Sequence, residues 1–228
     1  MRMASRMIGR MGRGGFSLIE LIICIGIIAV LIGLTLPALG KAREMSKQAR
    51  NAMQMRNAAT GVFAYLGDWA DVYPIAEPGV NGSMLRWDRP LIASGVFPNA
   101  QSIDPEGVRL TGSTRIALSG CMFHPAAMME PGATVPIGFA ETSPIRQTDV
   151  LFPSSKGVLW QWLHIIGERH VFWTIYDLQV ETPIALGDGS VQSKAARSIE
   201  IRETFIENWV GHPVMSTWGG VRGIDRLR

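Results

Sequence analysis

The longest apolar stretch of the chain runs from Leu21 to Leu39 and contains no charged residue. As a helix it would be about 28 Å long at ~1.5 Å per residue, close to the ~30 Å hydrocarbon core of a bilayer. A basic segment precedes this stretch and a long polar region follows it, which favours a cytoplasmic N-terminus and a domain on the far side. The pattern therefore predicts one membrane-spanning helix.

Beyond Gly40 the pattern becomes amphipathic. Apolar residues recur mostly three or four positions apart from Ala42 to Leu66, with basic residues between them. A single helix from Phe16 to Leu66 would be about 76 Å long. We expect Gly67 and Pro74 to end it, because glycine suits a helix C-terminus and proline cannot continue a helix.

The remaining chain has the short apolar runs and frequent turns of a small β-rich domain. Residues 75–152 are rich in Gly and Pro and are expected to form loops and short strands, including an apolar piece from Arg109 to Leu118. The clearest strand patterns are Gly157 to Leu163, His170 to Leu178 and Thr182 to Leu186. Asp188-Gly189 is typical of a hairpin turn, since both residues tolerate positive φ.

A short helix is expected from Ser193 to Val210, with Trp209 and Trp218 packing back on the domain. The predicted fold class is α+β. The first half of a long N-terminal helix spans the membrane, and its amphipathic second half packs against a small antiparallel β-sheet domain with long loops.

Charge and composition argue against several classes of protein. The chain has 228 residues, of which 47% are hydrophobic, so it is long enough for a packed core. Its net charge of +3 comes from four arginines in the first 15 residues, without which 18 basic residues face 19 acidic ones. No nucleic-acid partner is therefore expected. Cys24 in the apolar run and Cys121 in the later domain are not expected to form a disulfide.

No common catalytic or nucleotide-binding motif occurs, so we expect neither an enzyme nor a cofactor. His164, Glu168 and His170 are the best zinc candidates, but the neighbouring Val-Phe-Trp run favours a strand in which the three would not converge. Cys121 near His124 is expected to be a small buried residue rather than a nucleophile. No metal site is predicted.

Three interpretations of the N-terminal segment compete. A removable secretory signal has an apolar region of only ~7–15 residues and a small-residue cleavage site at its far end, whereas this helix continues. A plain uncleaved anchor accounts for neither the Gly14-Gly15 pair nor Glu20 at the head of the apolar run.

The third interpretation follows from the segment Gly14-Gly15-Phe16-Ser17-Leu18-Ile19-Glu20. It resembles the leader junction of type IV pilins and type II secretion pseudopilins. The resemblance implies that a membrane-embedded prepilin peptidase cuts between Gly15 and Phe16 and then N-methylates Phe16. It also matches Glu20 to the near-invariant glutamate of the family and Pro37 to a proline common in the same helix, where we predict a kink.

The role of Glu20 stays open between three physical options. Its carboxylate can pair with the amine of Phe16 in the same chain, because residues four apart share a helix face. It can pair with that amine in a neighbouring subunit and so fix the register of assembly. It can also simply stabilise the helix N-terminus through the dipole.

Later segments extend the resemblance to a pseudopilin-like group over the chain. They are Tyr65 to Pro74, Cys121 to Pro125, Pro153 to Trp160 and Ala185 to Val191, in the order that the group has them. One departure is Leu178, where many members carry a histidine. In some major pseudopilins an oxygen cluster near this region binds calcium. Here the spacing of Asp177, Glu181 and Asp188 favours a solvated turn, and the question of a calcium site near Asp188 stays open.

The predicted organisation is a cleaved leader at residues 1–15, a membrane or filament-core helix at 16–40, an amphipathic spine at 41–67 and an extracytoplasmic domain at 68–228. The resemblance implies a pilin-like subunit, held by a single span in the inner membrane with its C-terminal domain in the periplasm, or assembled in a filament. Its expected partners are the prepilin peptidase, other pilin-like subunits and an inner-membrane assembly platform. The alternative is a membrane-anchored binding or enzymatic domain that uses the signal only for processing. Type II secretion, type IV and competence roles are not separated, nor are major and minor subunits or the cargo.

Overall fold

The computed structural model describes residues 17–75, 86–111, 114–124, 142–166, 169–172, 181–195, 214 and 219–225. The chain divides into two compact units, residues 1–47 and residues 48–228. A long N-terminal helix and a small four-stranded antiparallel sheet make up the described architecture, so the predicted α+β fold class is confirmed.

Helix α1 runs from Leu18 to Asp68 and continues through Gly67, so the prediction that Gly67 ends it is wrong. The chain instead leaves the helix through Ala70 and Asp71, whose φ angles are 52° and 62°. The N–H of Asp71 donates to the carbonyl of Leu66 at 2.9 Å and completes the last turn. Left-handed residues other than glycine cost free energy, so this exit is strained.

Three short helices lie where loops and strands were expected, and this corrects the prediction for residues 75–152. They are α2 (Asp88–Ala93), α3 (Ala100–Ile103) and α4 (Pro105–Thr111). Asn99 caps α3 by accepting the N–H of Ser102 at 3.0 Å, and Pro105 opens α4, where a missing N–H costs nothing. These helices have only four to seven residues, which is too short to show a periodic apolar pattern. Periodicity in the sequence therefore could not predict them.

The sheet contains β1 (Ile116–Leu118), β2 (Gly157–Gln161), β5 (Glu181–Leu186) and β6 (Val191–Ala195) in the order β1-β2-β5-β6, with every neighbouring pair antiparallel. A separate hairpin pairs β3 (Leu163–Ile166) with β4 (Arg169–Phe172).

The strand predictions hold in part. The run predicted from Gly157 to Leu163 is divided at Trp162 between two sheets, and β5 confirms the predicted Thr182 to Leu186 strand. Only the first part of the predicted His170 to Leu178 strand is described, as β4. The helix predicted from Ser193 to Val210 is wrong at its start, because Ser193 pairs in β6. The rest of that helix, with Trp209 and Trp218, lies outside the described residues.

The predicted hairpin turn joins β5 to β6, where Ala185 pairs with Val191. The predicted turn is confirmed, and of its two central residues Gly189 is the one with a positive φ, at 84°. Asp188 instead accepts the N–H of Ser190 at 2.9 Å and stabilises the turn through its side chain.

The core of the second unit forms between the second half of α1 and the sheet. The buried apolar residues of this part of α1 are Met55, Ala58, Ala59, Val62, Tyr65 and Leu66, and they belong to one cluster with Leu118, Leu159, Trp160 and Leu186 from the strands. Gly61 faces the ring of Phe97 so closely that an added Cβ would overlap it. The buried positions of α1 begin at Met55, whereas Met45 and Met53 of the predicted amphipathic stretch are 68% and 71% exposed.

A buried charge network ties α1 to the short helices. The carboxylate of Asp104 accepts hydrogen bonds from the backbone N–H of Arg115 at 2.7 Å and from its Nη2 at 2.8 Å. The Arg115 guanidinium also donates to Glu106 at 2.8 Å and to Gln54 of α1 at 3.0 Å. Arg115 and Asp104 are 4% and 1% exposed, so this ion pair is isolated from water.

A second buried ion pair joins the end of the chain to the sheet. Lys156 Nζ lies 3.3 Å from Asp225 Oδ2, and both side chains are fully buried. The same carboxylate accepts the N–H of Gly157 at the start of β2 at 2.8 Å. The segment from 219 to 225 is thereby held against the sheet.

Two other buried polar groups have shifted acidity. Burial raises the pKa of the Tyr73 hydroxyl above its usual range, and this hydroxyl donates to the side-chain carbonyl of Gln147. Burial also raises the pKa of the Asp88 carboxyl, although Arg89 and Arg86 act in the opposite direction.

Candidate functional site

The described N-terminal end of α1 is organised around Glu20. The backbone N–H of Ser17 donates to Glu20 Oε2 at 2.9 Å, and the N–H of Leu21 donates to the carbonyl of Ser17 at 3.3 Å. This is one half of a capping box, in which an acid in the third helical position reaches back to the residue that precedes the helix. The structure thus shows Glu20 as a cap, one of the three options left open by the sequence.

The cap does not use the full capacity of the carboxylate. An ionised carboxylate has about four acceptor positions, and this bond occupies one of them. Gly15 and Phe16 lie outside the described residues, so pairing of Glu20 with the amine of Phe16 stays a prediction. Capping and pairing are compatible, because Phe16 precedes Ser17 by a single peptide bond.

The apolar half of α1 has its side chains exposed in the isolated chain. Leu18 and Leu34 are 75% and 72% exposed, and no residue of the most apolar 18-residue window is buried. Among the described residues, α1 is the one helix long and apolar enough to cross a membrane. Burial of this surface requires lipid or other helices, since apolar surface in water costs ~25 cal/mol per Å².

Three glycines mark one face of this helix at intervals of seven residues. An added Cβ at Gly26, Gly33 or Gly40 would meet no atom within 4 Å, so all three positions are open. Small residues allow a neighbouring helix backbone to approach closely in a membrane. This interval was not among the features predicted from the sequence, although it is visible in the sequence alone.

Pro37 lies inside α1, and the helix continues on both sides of it. The predicted kink stays a prediction. The hydroxyl of Thr35 donates to the carbonyl of Ile32 at 3.2 Å, so a side chain supplements the backbone bonding just before the proline.

Two of the three residues considered for a zinc site, His164 and His170, lie in the described hairpin. His164 pairs with Val171 and His170 pairs with Ile165, so the two histidines occupy register positions one step apart. Successive strand positions alternate between the faces of a sheet. Glu168 lies outside the described residues.

The calcium candidates are also separated. Glu181 begins β5 and Asp188 follows its end, so a strand of about 20 Å lies between them. Asp177 lies outside the described residues. Within the described ranges, no group of three His, Cys, Asp or Glu residues is arranged to hold a metal ion.

Cys121 and His124 are both fully buried in the domain. The ring of His124 contacts that of Phe123 at a centroid distance of 4.4 Å. The expectation of a small buried cysteine is confirmed, and the burial of Cys121 disfavours a nucleophile open to substrate.

An exposed aromatic residue stands at the far end of α1. Trp69 is 53% exposed and stacks on Tyr65 with a centroid distance of 5.4 Å and an interplanar angle of 7°. It directly precedes the strained Ala70 and Asp71. Trp69 lies in the segment from Tyr65 to Pro74 that extends the family resemblance, but its exposure could not be predicted from the pattern of residues.

Comparison with known proteins identifies the N-terminal motif. Residues 10–36 match the family described as the prokaryotic N-terminal methylation motif, the prepilin-type signal of type IV pilins and pseudopilins. This match includes Gly15, Phe16 and Glu20 and confirms the predicted resemblance. Searches of curated proteins and of solved structures found no match. The apolar helix and the signal together indicate a pilin-like protein that is processed by prepilin peptidase and anchored in a membrane.

Proposed function

We propose that this chain, with its prepilin-type signal, is a filament subunit cut between Gly15 and Phe16, N-methylated at Phe16 and assembled through α1. The observation that carries the proposal is the position of the signal, which leads directly into an apolar helix whose side chains are exposed in the isolated chain. Such a surface is suited first to lipid and then to the helices of other subunits. The activity is assembly into a secretion-type or type IV filament rather than catalysis.

In this proposal the domain lies in the periplasm, and an inner-membrane platform withdraws the processed subunit from the bilayer. Glu20 guides the insertion. Its carboxylate caps the helix in the single subunit and meets the Phe16 amine of the last subunit added. A charged group within a membrane segment is expensive unless it is paired, and cleavage supplies the cation. The open glycine face then lets neighbouring helices pack closely.

N-terminal mass spectrometry of protein purified from membranes tests the processing. We expect a chain that begins with N-methylated Phe16, and an intact Met1 terminus would overturn the proposal. Chemical cross-linking of whole cells tests assembly. Wild-type protein should give a ladder of subunits, whereas Glu20→Ala should be cleaved normally and give none. Glu44→Ala is the matched control. It removes an acidic residue from the same helix, but one that lies after the apolar run.

A second candidate function is a membrane-anchored domain that binds a ligand and uses the signal only for processing. The exposed indole of Trp69 favours it, because tryptophan is enriched at interfaces, where one part of the ring is apolar and its N–H can find a partner. Under this alternative, Phe16 is still methylated but no ladder forms at any expression level.

A further inference from the structure

Three exposed basic residues follow the apolar run on its far side. We call Lys41, Arg43 and Lys47 the juxtamembrane cations, and all three side chains are exposed. Glu44 is the only acidic residue between them, and it is the only one from Leu21 to Gly67. The segment from 41 to 47 therefore carries a net charge of +2 next to the membrane span.

Their depth matches the headgroup layer of a bilayer. Along α1, Lys41 lies about 3 Å and Lys47 about 12 Å beyond Leu39, at ~1.5 Å per residue. A headgroup region is roughly 5–8 Å thick on each side of the hydrocarbon core. Long basic side chains extend several ångströms along the helix axis, so the cations at both ends of this segment can reach phosphate groups.

Their distribution around the helix also favours lipid over a single protein partner. At about 100° per residue, Arg43 and Lys47 lie about 40° apart, whereas Lys41 lies about 160° from Arg43. The cations therefore occupy both sides of α1. A protein partner would contact one face of the helix, whereas headgroups surround it.

Processing makes these cations the main basic cluster beside the span. The uncleaved chain has four arginines in its leader, and cleavage after Gly15 removes all of them. We propose that Lys41, Arg43 and Lys47 then bind the phosphates of anionic phospholipids in the leaflet opposite the leader and retain the processed subunit in the membrane. This inference rests on the proposed function for the cleavage and for the orientation of the chain.

The expected size of the effect follows from the net charge. Each basic residue near an anionic surface contributes about a fivefold preference, so a net charge of two gives about a 25-fold enrichment at most. The enrichment should fall steeply with salt, because the screening length decreases from about 10 Å at 0.1 M to about 3 Å at 1 M.

The test uses the whole processed protein in vesicles. Cys24→Ser and Met45→Cys place a single accessible thiol next to the cations, since Cys121 is buried. A quencher on this thiol reports on phosphatidylglycerol or phosphatidylcholine that carries a fluorophore on one acyl chain. We expect several-fold stronger quenching of phosphatidylglycerol at low salt, and nearly equal quenching of the two lipids at 1 M salt.

Three variants make the test specific. Combined replacement of Lys41, Arg43 and Lys47 by glutamine should reduce quenching of phosphatidylglycerol to the level of phosphatidylcholine. Lys41→Arg with Lys47→Arg keeps the charge and should keep the preference. Arg56→Gln removes a cation of the second unit, 17 residues beyond Leu39 in the sequence, and should have no effect. An unchanged near-UV circular dichroism spectrum, to which the tryptophans contribute, shows that the triple variant is folded.

Equal quenching of the two lipids by the wild-type protein would overturn the inference, as would a preference that survives in the triple glutamine variant. If the wild type shows no lipid preference but the triple variant loses its cross-linked ladder, these residues form a protein contact and the inference is wrong. The N-terminal mass of the same sample tests the proposed function separately. A clear lipid preference in a chain that still begins at Met1 would support the lipid contact and reject the processing.

Discussion

Glu20→Gln separates the observed cap from the proposed pairing of this carboxylate with the Phe16 amine of a neighbouring subunit. Glutamine keeps a side-chain oxygen of the same shape, so it can still accept the N–H of Ser17, which Glu20 accepts at 2.9 Å. It removes only the negative charge. Glu20→Ala removes both the charge and the cap, and Glu44→Gln removes an exposed charge elsewhere on α1.

The two roles predict effects of different size. If Glu20 acts only as a cap, glutamine loses the charge–dipole contribution of about 0.3–1 kcal/mol. The equilibrium constant for assembly then changes by about two- to fivefold. If Glu20 pairs with the amine of a neighbouring subunit, glutamine leaves a buried cation without its partner. Such losses amount to about 2–5 kcal/mol, or roughly 30- to several thousand-fold.

The assay is the expression level at which half of the subunits enter cross-linked ladders, measured with an inducible promoter. We expect Glu20→Gln to require at least about 30 times more protein than the wild type and to resemble Glu20→Ala. N-terminal mass spectra must show equal processing of all variants. A half-assembly level for Glu20→Gln within about fivefold of the wild type would refute the pairing and leave the cap as the role of this residue.

Three further predictions concern the second unit, each measured by denaturant unfolding of detergent-solubilised protein with tryptophan fluorescence. Asp104→Ala should lower the free energy of unfolding by about 3–5 kcal/mol, because it leaves the buried Arg115 charge without its main partner; a loss below about 1 kcal/mol would contradict this. Ala70→Gly should raise it by about 0.5–1 kcal/mol, since glycine relieves the left-handed strain; a decrease would show that the turn is unstrained. Asp88→Asn should be neutral in acid and stabilising at pH 7, because the wild type loses stability as pH rises from the unfolded pKa near 3.8 through the raised folded pKa; a gain independent of pH would exclude this cause.

The sequence predicted the elements that depend on a long or local pattern. The apolar run and the amphipathic repeat extend over many turns, so α1 could be predicted from Phe16 to Leu66, within two residues of the observed Leu18–Asp68. The Asp188-Gly189 turn is specified by its two central residue types, so it could be predicted without knowledge of distant contacts. The leader junction is a short motif that identifies itself by residue type and spacing.

The elements that the sequence missed depend on contacts between distant residues. Asp104 and Arg115 are eleven positions apart, and Gln54 joins them from α1 only in the folded chain. The exit of α1 at Ala70 is also set by distant residues, since the N–H of Tyr73 donates a hydrogen bond to the carbonyl of Ile145 at 2.9 Å. The division of the Gly157 to Leu163 run at Trp162 follows the pairing partners of its two halves, which no periodicity reveals.

The ion pair between Lys156 and Asp225 has a consequence for the timing of folding. These residues are 69 positions apart, and both side chains are fully buried. Burial of the Lys156 ammonium group without Asp225 would leave a charge in the core without its partner, which costs about 3–5 kcal/mol. Closure of the core around Lys156 therefore becomes favourable only once the segment that carries Asp225 has docked at the start of β2.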